Sequence, residues 1–304
     1  IGVFQGHRHE GGYSRINGIH YYTLKGLIEG SGAANSAYAL VEIDGAGTIH
    51  IKGFRKVGSS TLDANGERPT YLAEGYSLVW ADEFDTPGRP DTTKWSYERG
   101  FVRNEELQWY QSENARVAKG MLIIEARREK KTNPGYDING GDWRSKREFA
   151  DYTSASLTTK GMRGWLYGRF EMRGKIDTRL GMWPAWWTVG TGARWPAAGE
   201  IDMMEFFRGM LLANVAWASS TPAKPIWADT RTPLASFGDA DWSSKFHVWR
   251  MDWDADAIKL YVEGRLLNSV DLDRTVNQDG VGANPFHAQQ FMILNLAVGS
   301  TGGD

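Results

Sequence analysis

The 304-residue sequence contains no cysteine, so a disulfide bond, a thiolate metal site and a cysteine nucleophile are all excluded. It also lacks an excess of either charge, because 35 Lys and Arg stand against 37 Asp and Glu, for a formal net charge of -2. Without an overall basic field, neither nucleic acid nor an anionic membrane is expected as a partner. No apolar run reaches the roughly 18 residues of a transmembrane helix.

Aromatic rings and glycine are abundant instead. The chain contains 14 Trp, 12 Tyr, 12 Phe and 36 Gly, and its share of tryptophan is well above average usage. With 41% hydrophobic and 24% charged residues, it is typical of one large globular domain or two smaller ones. The residues from Ile1 to Gln5 have neither the Met nor the apolar stretch of a secretory signal, so we expect the chain to be a piece of a longer protein.

Composition divides the chain into three parts. Residues 1–62 are rich in glycine, and their short apolar alternations at 37–43 and 48–54 flank a turn-forming stretch, which predicts a β-hairpin. Residues 63–74 are polar and contain a proline, which is typical of a linker. We therefore expect a small N-terminal segment, a linker, and a separate domain at 75–304.

The region after residue 75 consists of short segments rich in β-branched and aromatic residues, separated by turn formers. In 168–175 every odd position is charged, whereas Phe170 and Met172 are apolar, so one face of that strand is buried and the other is solvated. Strands at this spacing, with almost no helical period, predict an all-β sandwich. The predicted strands include 77–80, 121–126, 167–175, 200–206, 248–253, 258–262 and 291–298.

The strand at 200–206 carries three acidic residues. Glu200 and Asp202 share a face because side chains alternate, and Glu205 joins them only if a β-bulge at Met203 and Met204 makes two residues count as one. Glu200 and Glu205 then stand roughly 13 Å apart at their Cα atoms, and inward-leaning side chains bring the carboxyls to about 5–6 Å. That is close to the ~5–5.5 Å of a retaining glycosidase. Mutual repulsion favours keeping one carboxyl protonated, as a general acid requires.

The alternative for such an acidic string is a solvated charged face, as on many exposed strands. Its surroundings favour chemistry, because two Trp-Pro-Ala segments precede it, beginning at Trp183 and Trp195. Tryptophan rings offer apolar area against the face of a sugar. We expect Trp183 and Trp195 to line a cleft, and at least one of Trp186 and Trp187 to fill the core.

The segment from Glu200 to Glu205 resembles the signature of the family 16 glycoside hydrolases, in the bulge-containing form of laminarinase-like and agarase-like members. The resemblance covers about residues 75–304, since other segments are similar to further strands of that family. These segments are 78–85, 152–160, 167–171, 247–253 and 295–299.

The resemblance implies a jelly-roll β-sandwich with a concave substrate cleft, and retaining hydrolysis by double displacement. Carried over by position, Glu200 is the nucleophile, Glu205 is the general acid/base, and Asp202 is the carboxyl between them that tunes both. The resemblance implies no catalytic metal and no required cofactor.

By the same resemblance, Trp183 and Trp195 line sugar subsites on the non-reducing side, and Asn104 is a polar contact there.

Two departures from the family pattern stand out. Ala216 occupies the position where many members carry a histidine, which puts the polar support of the site in question. The chain also ends where relatives continue into a last strand. That strand commonly supplies a ligand to a structural calcium ion, so the resemblance implies that calcium is possible here but not required.

The implied function is endo-acting hydrolysis of a β-linked polysaccharide, with β-1,3- or mixed-linkage glucan preferred. One alternative is a red-algal galactan such as agar or porphyran, whose sulfate could meet basic residues. A second alternative is a non-catalytic, lectin-like sugar-binding module, which would not need both Glu200 and Glu205. From the substrate class we expect a secreted or periplasmic monomer. The basic residues that could meet sulfate in the galactan alternative are Arg103, Arg144, Lys146 and Arg147.

The N-terminal segment carries its own motif. His7 and His9 stand two apart after a glycine, and with His20 and the hairpin they resemble the C-terminal end of a calcineurin-like metallophosphoesterase. The other metal ligands of that family come from strands further upstream. We therefore expect residues 1–62 to be a remnant that cannot bind two metals, the alternative being an ordinary surface turn.

Overall fold

The computed structural model describes residues 2–5, 12–16, 19–23, 37–43, 49–55, 60–62 and 76–300. The chain forms two compact units, Ile1–Ala81 and Asp82–Asp304. Strands dominate both units, as the short apolar alternations predicted.

The first unit contains two three-stranded sheets, with strand orders β1-β3-β2 and β4-β5-β6. The predicted hairpin is confirmed, because β4 and β5 pair antiparallel from Ala37 opposite Arg55 to Ile43 opposite Ile49. Its connecting turn, and the motif of His7 and His9, lie outside the described residues. The strands are β1 (Gly2–Gln5), β2 (Gly12–Ile16), β3 (Ile19–Thr23), β4 (Ala37–Ile43), β5 (Ile49–Arg55) and β6 (Ser60–Leu62).

The second unit is built on a large sheet with the order β18-β17-β16-β15-β23-β13-β7, to which β19 adds by pairing with β17. A second sheet has the order β14-β20-β21-β22, and two smaller ones have the orders β11-β12-β8 and β10-β9. The strands are β7 (Ser96–Tyr97), β8 (Gln108–Tyr110), β9 (Ala115–Ala118), β10 (Met121–Ile124), β11 (Arg127–Thr132), β12 (Phe149–Ser154), β13 (Ser156–Thr158), β14 (Gly168–Gly174), β15 (Met182–Gly190), β16 (Glu200–Phe207), β17 (Met210–Ala218), β18 (Pro225–Ala228), β19 (Arg231–Pro233), β20 (His247–Trp253), β21 (Ala257–Val262), β22 (Arg265–Asp271) and β23 (Gln290–Val298).

Helical structure in this unit consists of short 3-10 turns. They connect strands and do not form a layer of their own. Their bounds are Ser112–Asn114, Leu234–Phe237, Trp242–Ser244, Leu272–Arg274 and Pro285–His287.

Alternation along the strands sorts side chains between core and surface. On β16, Ile201 and Phe206 are buried, and on β20 the residues Trp249, Met251 and Trp253 are buried. Contacts between β16 and β20 join the large sheet to the second sheet. The all-β sandwich predicted from the sequence is confirmed, and the hydrophobic effect on these inward faces holds its layers together.

One predicted strand does not form. Residues 76–85 contain no strand, and the side chains of Leu78 and Val79 are each 66% exposed. A strand is stable only when a neighbour completes its hydrogen-bond ladder. The apolar alternation alone was an insufficient signal for a strand at 77–80.

Candidate active site

The three carboxyls of the acidic segment lie on β16, the third strand of the large sheet. Asp202 pairs with Asn214 of β17 and Glu205 pairs with Leu212, so three steps on β16 match two on its partner. Met203 and Met204 are both buried. This is the predicted β-bulge, and it returns Glu205 to the face that carries Asp202.

A glycine sets the start of this strand. Gly199 has φ +74°, and a Cβ there would lie 2.8 Å from Cβ of Pro285 and 2.9 Å from Cε1 of Phe286. Both the left-handed backbone and the close approach require glycine. The turn that leads into β16 therefore requires glycine immediately before Glu200.

A hydrogen bond joins the side chains of Glu200 and Asp202. Burial, followed by the negative charge of Glu205, raises the pKa of Glu200 to about 7. Burial and the two neighbouring glutamates raise the pKa of Asp202 well above its usual range, and a hydrogen bond to Glu200 adds to this. Asp202 is only 4% exposed. The protonated Asp202 thus donates to Glu200 and favours the ionised form of Glu200.

Glu205 is held by donors on both of its oxygens. Nε1 of Trp183 donates to Oε1 at 2.6 Å, and Nδ2 of Asn214 donates to Oε2 at 3.3 Å. Burial raises the pKa of Glu205 to about 7, against the Trp183 hydrogen bond and the positive charge of Arg231, which lower it. Both glutamates are therefore poised to exchange protons near neutral pH.

The two tryptophans predicted to line a cleft both reach these carboxyls. Trp195 is 44% exposed, and its side chain hydrogen-bonds to Glu200. Trp183 is half-buried, and its ring centre lies 4.6 Å from that of Phe207. Trp186 is buried, which confirms the expectation that at least one of Trp186 and Trp187 fills the core.

Arg103 comes to the same site from the loop before β8. Its guanidinium lies 5.0 Å from the Trp187 ring centre, forms an ion pair with Glu98, and lowers the pKa of Glu200. Nε1 of Trp187 donates to Oδ1 of Asn295 at 2.8 Å. Polar and ring contacts thus hold Arg103 and Trp187 next to the site.

Asn104 follows Arg103 on this loop. Its backbone is left-handed, with φ 55°, and its exposed side-chain amide donates to Oε1 of Glu106 at 3.4 Å. The sugar contact inferred for Asn104 stays a prediction.

Two of the four basic residues considered for sulfate recognition, Arg144 and Arg147, make contacts within the protein. The guanidinium of Arg144 donates to the carbonyl of Val102, and that of Arg147 donates to the carbonyls of Glu105 and Glu106. These contacts fasten the loop between β11 and β12 to the loop before β8. Both guanidinium groups are therefore already bound to backbone carbonyls, which weighs against their recognition of sulfate on a galactan.

Sequence reasoning missed three residues on the carboxylate face, which we define as the face of the large sheet that carries Glu200, Asp202 and Glu205. Asn214 lies opposite Asp202, Arg231 lies opposite Leu212, and Trp227 lies opposite Ala216, which in turn pairs with Glu200. No sequence motif marks them, because their places depend on register. Asn214 supplies polar support that the alanine at 216 cannot.

The described residues offer neither a metal-binding cluster nor a membrane-spanning helix. No three His, Asp or Glu side chains gather there in a way that could hold a metal ion. The structural calcium ion stays a prediction from the resemblance. In the part of the chain that the structure describes, no helix has the length and apolar character needed to cross a membrane.

Comparisons with known proteins identify the family that this chain resembles. The family described as glycosyl hydrolases family 16 matches residues 104–300. A β-glucanase of Rhodothermus marinus is 35% identical over 265 residues, which are 81% of this chain and 83% of that protein. Nothing in these comparisons supports the phosphoesterase resemblance of residues 1–62, which stays a prediction.

Solved structures show the same fold. A protein reported among endo-acting O-glycanases that members of the human gut microbiota express to initiate mucin breakdown is 34% identical, with a TM-score of 0.68 over 74% of this chain and 82% of that one. LamA of Z. galactanivorans, in complex with laminaritriose and laminaritetraose, is 31% identical, with a TM-score of 0.59 over 75% of this chain and 90% of that one. The sandwich is thus the predicted jelly roll.

Proposed function

Because the chain belongs to the glycosyl hydrolases of family 16, we propose that it is an endo-acting, retaining hydrolase of β-1,3- or mixed-linkage glucan. The observation that carries the proposal is the bulged strand β16, which presents Glu200 and Glu205 on one face with pKa values of about 7. The similarity to the β-glucanase of R. marinus supports the substrate class.

In the first half of the reaction, the ionised Glu200 attacks the anomeric carbon of the bound sugar. The protonated Glu205 gives its proton to the glycosidic oxygen, so the C–O bond breaks and the leaving sugar departs as an alcohol. A glycosyl ester on Glu200 remains. The hydrogen bond from Asp202 and the charge of Arg103 both favour the ionised Glu200 that this step needs.

In the second half, Glu205 is ionised and takes a proton from water. The water oxygen attacks the anomeric carbon, the ester bond to Glu200 breaks, and the sugar leaves with its original β configuration. Glu205 regains its proton and Glu200 its charge, so the site returns to its starting state. A pKa near neutrality suits Glu205 to both roles.

Sugar binding uses the exposed rings on either side of β16. Trp195 precedes the strand, and Trp227 lies two strands away on β18 and is 41% exposed. Flat rings at these positions suit the C–H faces of glucose units. A chain bound across both would be cut internally, and such a polymer is met outside the cytoplasm, where we propose that the protein acts.

A second candidate substrate is a β-linked O-glycan or another galactan. The similarity to the gut O-glycanase favours including it. The lectin-like alternative does not account for two glutamates whose pKa values are raised to about 7 on one face.

The test compares release of reducing ends from laminarin, lichenan, agarose, porphyran and a mucin by the unmodified protein and by Glu200→Gln. We expect internal cleavage of laminarin or lichenan, and loss of turnover with retained oligosaccharide binding in the variant, since the amide cannot form the ester. Cleavage of agarose, porphyran or mucin alone would replace glucan by a galactan or an O-glycan. Binding without cleavage by the unmodified protein would establish the lectin.

A further inference from the structure

Trp183 was predicted as a ring that stacks on sugar, yet its polar edge meets the candidate general acid/base. Nε1 donates to Oε1 of Glu205 at 2.6 Å. The ring packs on Phe207 with 4.6 Å between the centres and 41° between the planes. This packing fixes the direction of the N–H, so the contact is part of the fold and does not await substrate.

Strand register explains why the contact forms. Ala185 of β15 lies opposite Glu205 of β16, and Trp183, two residues before Ala185, lies on the same face. A diagonal neighbour of this kind lies within reach of a long aromatic side chain. On its other edge β15 pairs with β23, where Ala297 lies opposite Trp183.

The chemistry of the donor defines its effect. An indole N–H can donate but cannot accept, so it stabilises a carboxylate more than a carboxylic acid. The charged and titratable groups around Glu205 come from several strands. Glu200 and Asp202 share β16 with it, and Arg231 approaches from β19. Asn214, which is neutral, donates to the second oxygen.

We propose that Trp183 is a positioning residue: its indole N–H holds the Glu205 carboxyl in one orientation and stabilises its ionised form, which must activate water in the second half of the reaction. This inference rests on the proposed function, in which Glu205 is the acid/base. It assigns the N–H of Trp183 a role separate from sugar stacking.

The test is Trp183→Phe, which keeps a ring against Phe207 and removes the donor. We expect the alkaline limb of the kcat/KM profile on laminarin to move up by about 1 pH unit, because loss of a donor to the carboxylate raises the pKa of Glu205. We also expect kcat at neutral pH to fall about 10-fold, with KM changed less than about 3-fold.

Trp253→Phe is the matched control. It removes an indole N–H that donates to the carbonyl of Phe286 at 3.1 Å on the other sheet, and its alkaline limb should stay in place. If Trp183→Phe does not fold, benzothienylalanine at position 183 replaces the N–H by sulfur at nearly the same shape, and the same shift is expected.

An unchanged alkaline limb with a raised KM would overturn the inference and leave Trp183 as a sugar-binding ring only. That outcome is distinct from failure of the proposed function. In that case the unmodified protein itself would release no reducing ends from laminarin.

Discussion

The guanidinium of Arg103 lies over the ring of Trp187, 5.0 Å from its centre. The arginine thereby holds a positive charge at the site although its main ion-pair partner is Glu98. That charge lowers the pKa of Glu200, against burial and Glu205, which raise it. A residue considered for sulfate recognition thus acts on the candidate nucleophile.

Replacing Arg103 should move the acid limb of the pH profile. In Arg103→Met the pKa of Glu200 rises, so the ionised nucleophile appears only at higher pH and the acid limb of kcat/KM should shift up by about 0.5–1 unit. Arg169→Met, which removes an arginine paired with Asp252 on the second sheet, should leave that limb where it is. An unmoved limb in Arg103→Met would separate this charge from Glu200.

Azide distinguishes the stereochemical course. In Glu205→Ala the polysaccharide should be hydrolysed at least about 100-fold more slowly, because neither leaving oxygen nor water is assisted. Azide needs no general base, so it should restore turnover of a substrate with an activated leaving group and produce a β-configured glycosyl azide, detected by NMR. An α-configured azide would mean inversion and contradict Glu200 as nucleophile.

Asp202 should make stability depend on pH. Its pKa is raised, so the folded state binds a proton that the unfolded chain releases, and this contribution is lost as pH rises through the folded pKa. We therefore compare the difference in Tm between Asp202→Asn and the unmodified protein at two pH values. This difference should be several degrees more favourable to the variant at about pH 8 than at about pH 5.

Asp177→Asn is the control of opposite sign, since the side chain of Arg179 lowers the pKa of Asp177. Asp177 is ionised at both pH values, so its substitution should change Tm by the same amount at each. Calorimetry of both variants would contradict the assignment if Asp202→Asn behaved like Asp177→Asn.

The exposed rings should matter for binding more than for stability. Trp227→Ala and Trp195→Ala should each raise KM on laminarin by roughly 3- to 10-fold, because a stacking surface is lost. Their free energy of unfolding should change little. In Trp249→Ala, by contrast, truncation of a buried ring should lower it by about 3–5 kcal/mol. Thermal unfolding together with kinetics separates the two cases, and collapse of the fold in Trp227→Ala would make it a core residue.

The N-terminal segment should be catalytically idle. A shortened chain beginning at Glu74 should keep the activity of the full chain per mole, because every residue of the carboxylate face belongs to the unit Asp82–Asp304. The full chain with Mn²⁺ or Zn²⁺ should not hydrolyse a phosphodiester. Loss of activity on shortening, or metal-dependent phosphodiester hydrolysis, would make the segment a working part.

Local pattern predicted much of the site. The alternation of Glu200 and Asp202, with two apolar residues before Glu205, predicts the bulge, because a pleated strand leaves few other ways to bring the third carboxyl to the same face. Periodicity predicted most strands but failed at 77–80, where the alternation is present and the backbone forms no strand. Local pattern does not report whether the rest of the fold lets a segment complete a regular ladder of backbone hydrogen bonds.

By itself, the sequence determined the all-β class and the acidic strand with its bulge. These depend on neighbouring residues, whose geometry follows from side-chain alternation and steric limits on the backbone. Only the tertiary structure decided that Trp183 donates to Glu205, that Asn214 supports the same carboxyl, and that Arg103 acts on Glu200. Such contacts join segments distant along the chain, and they exist only once strand order and register have been set by packing of the whole sandwich.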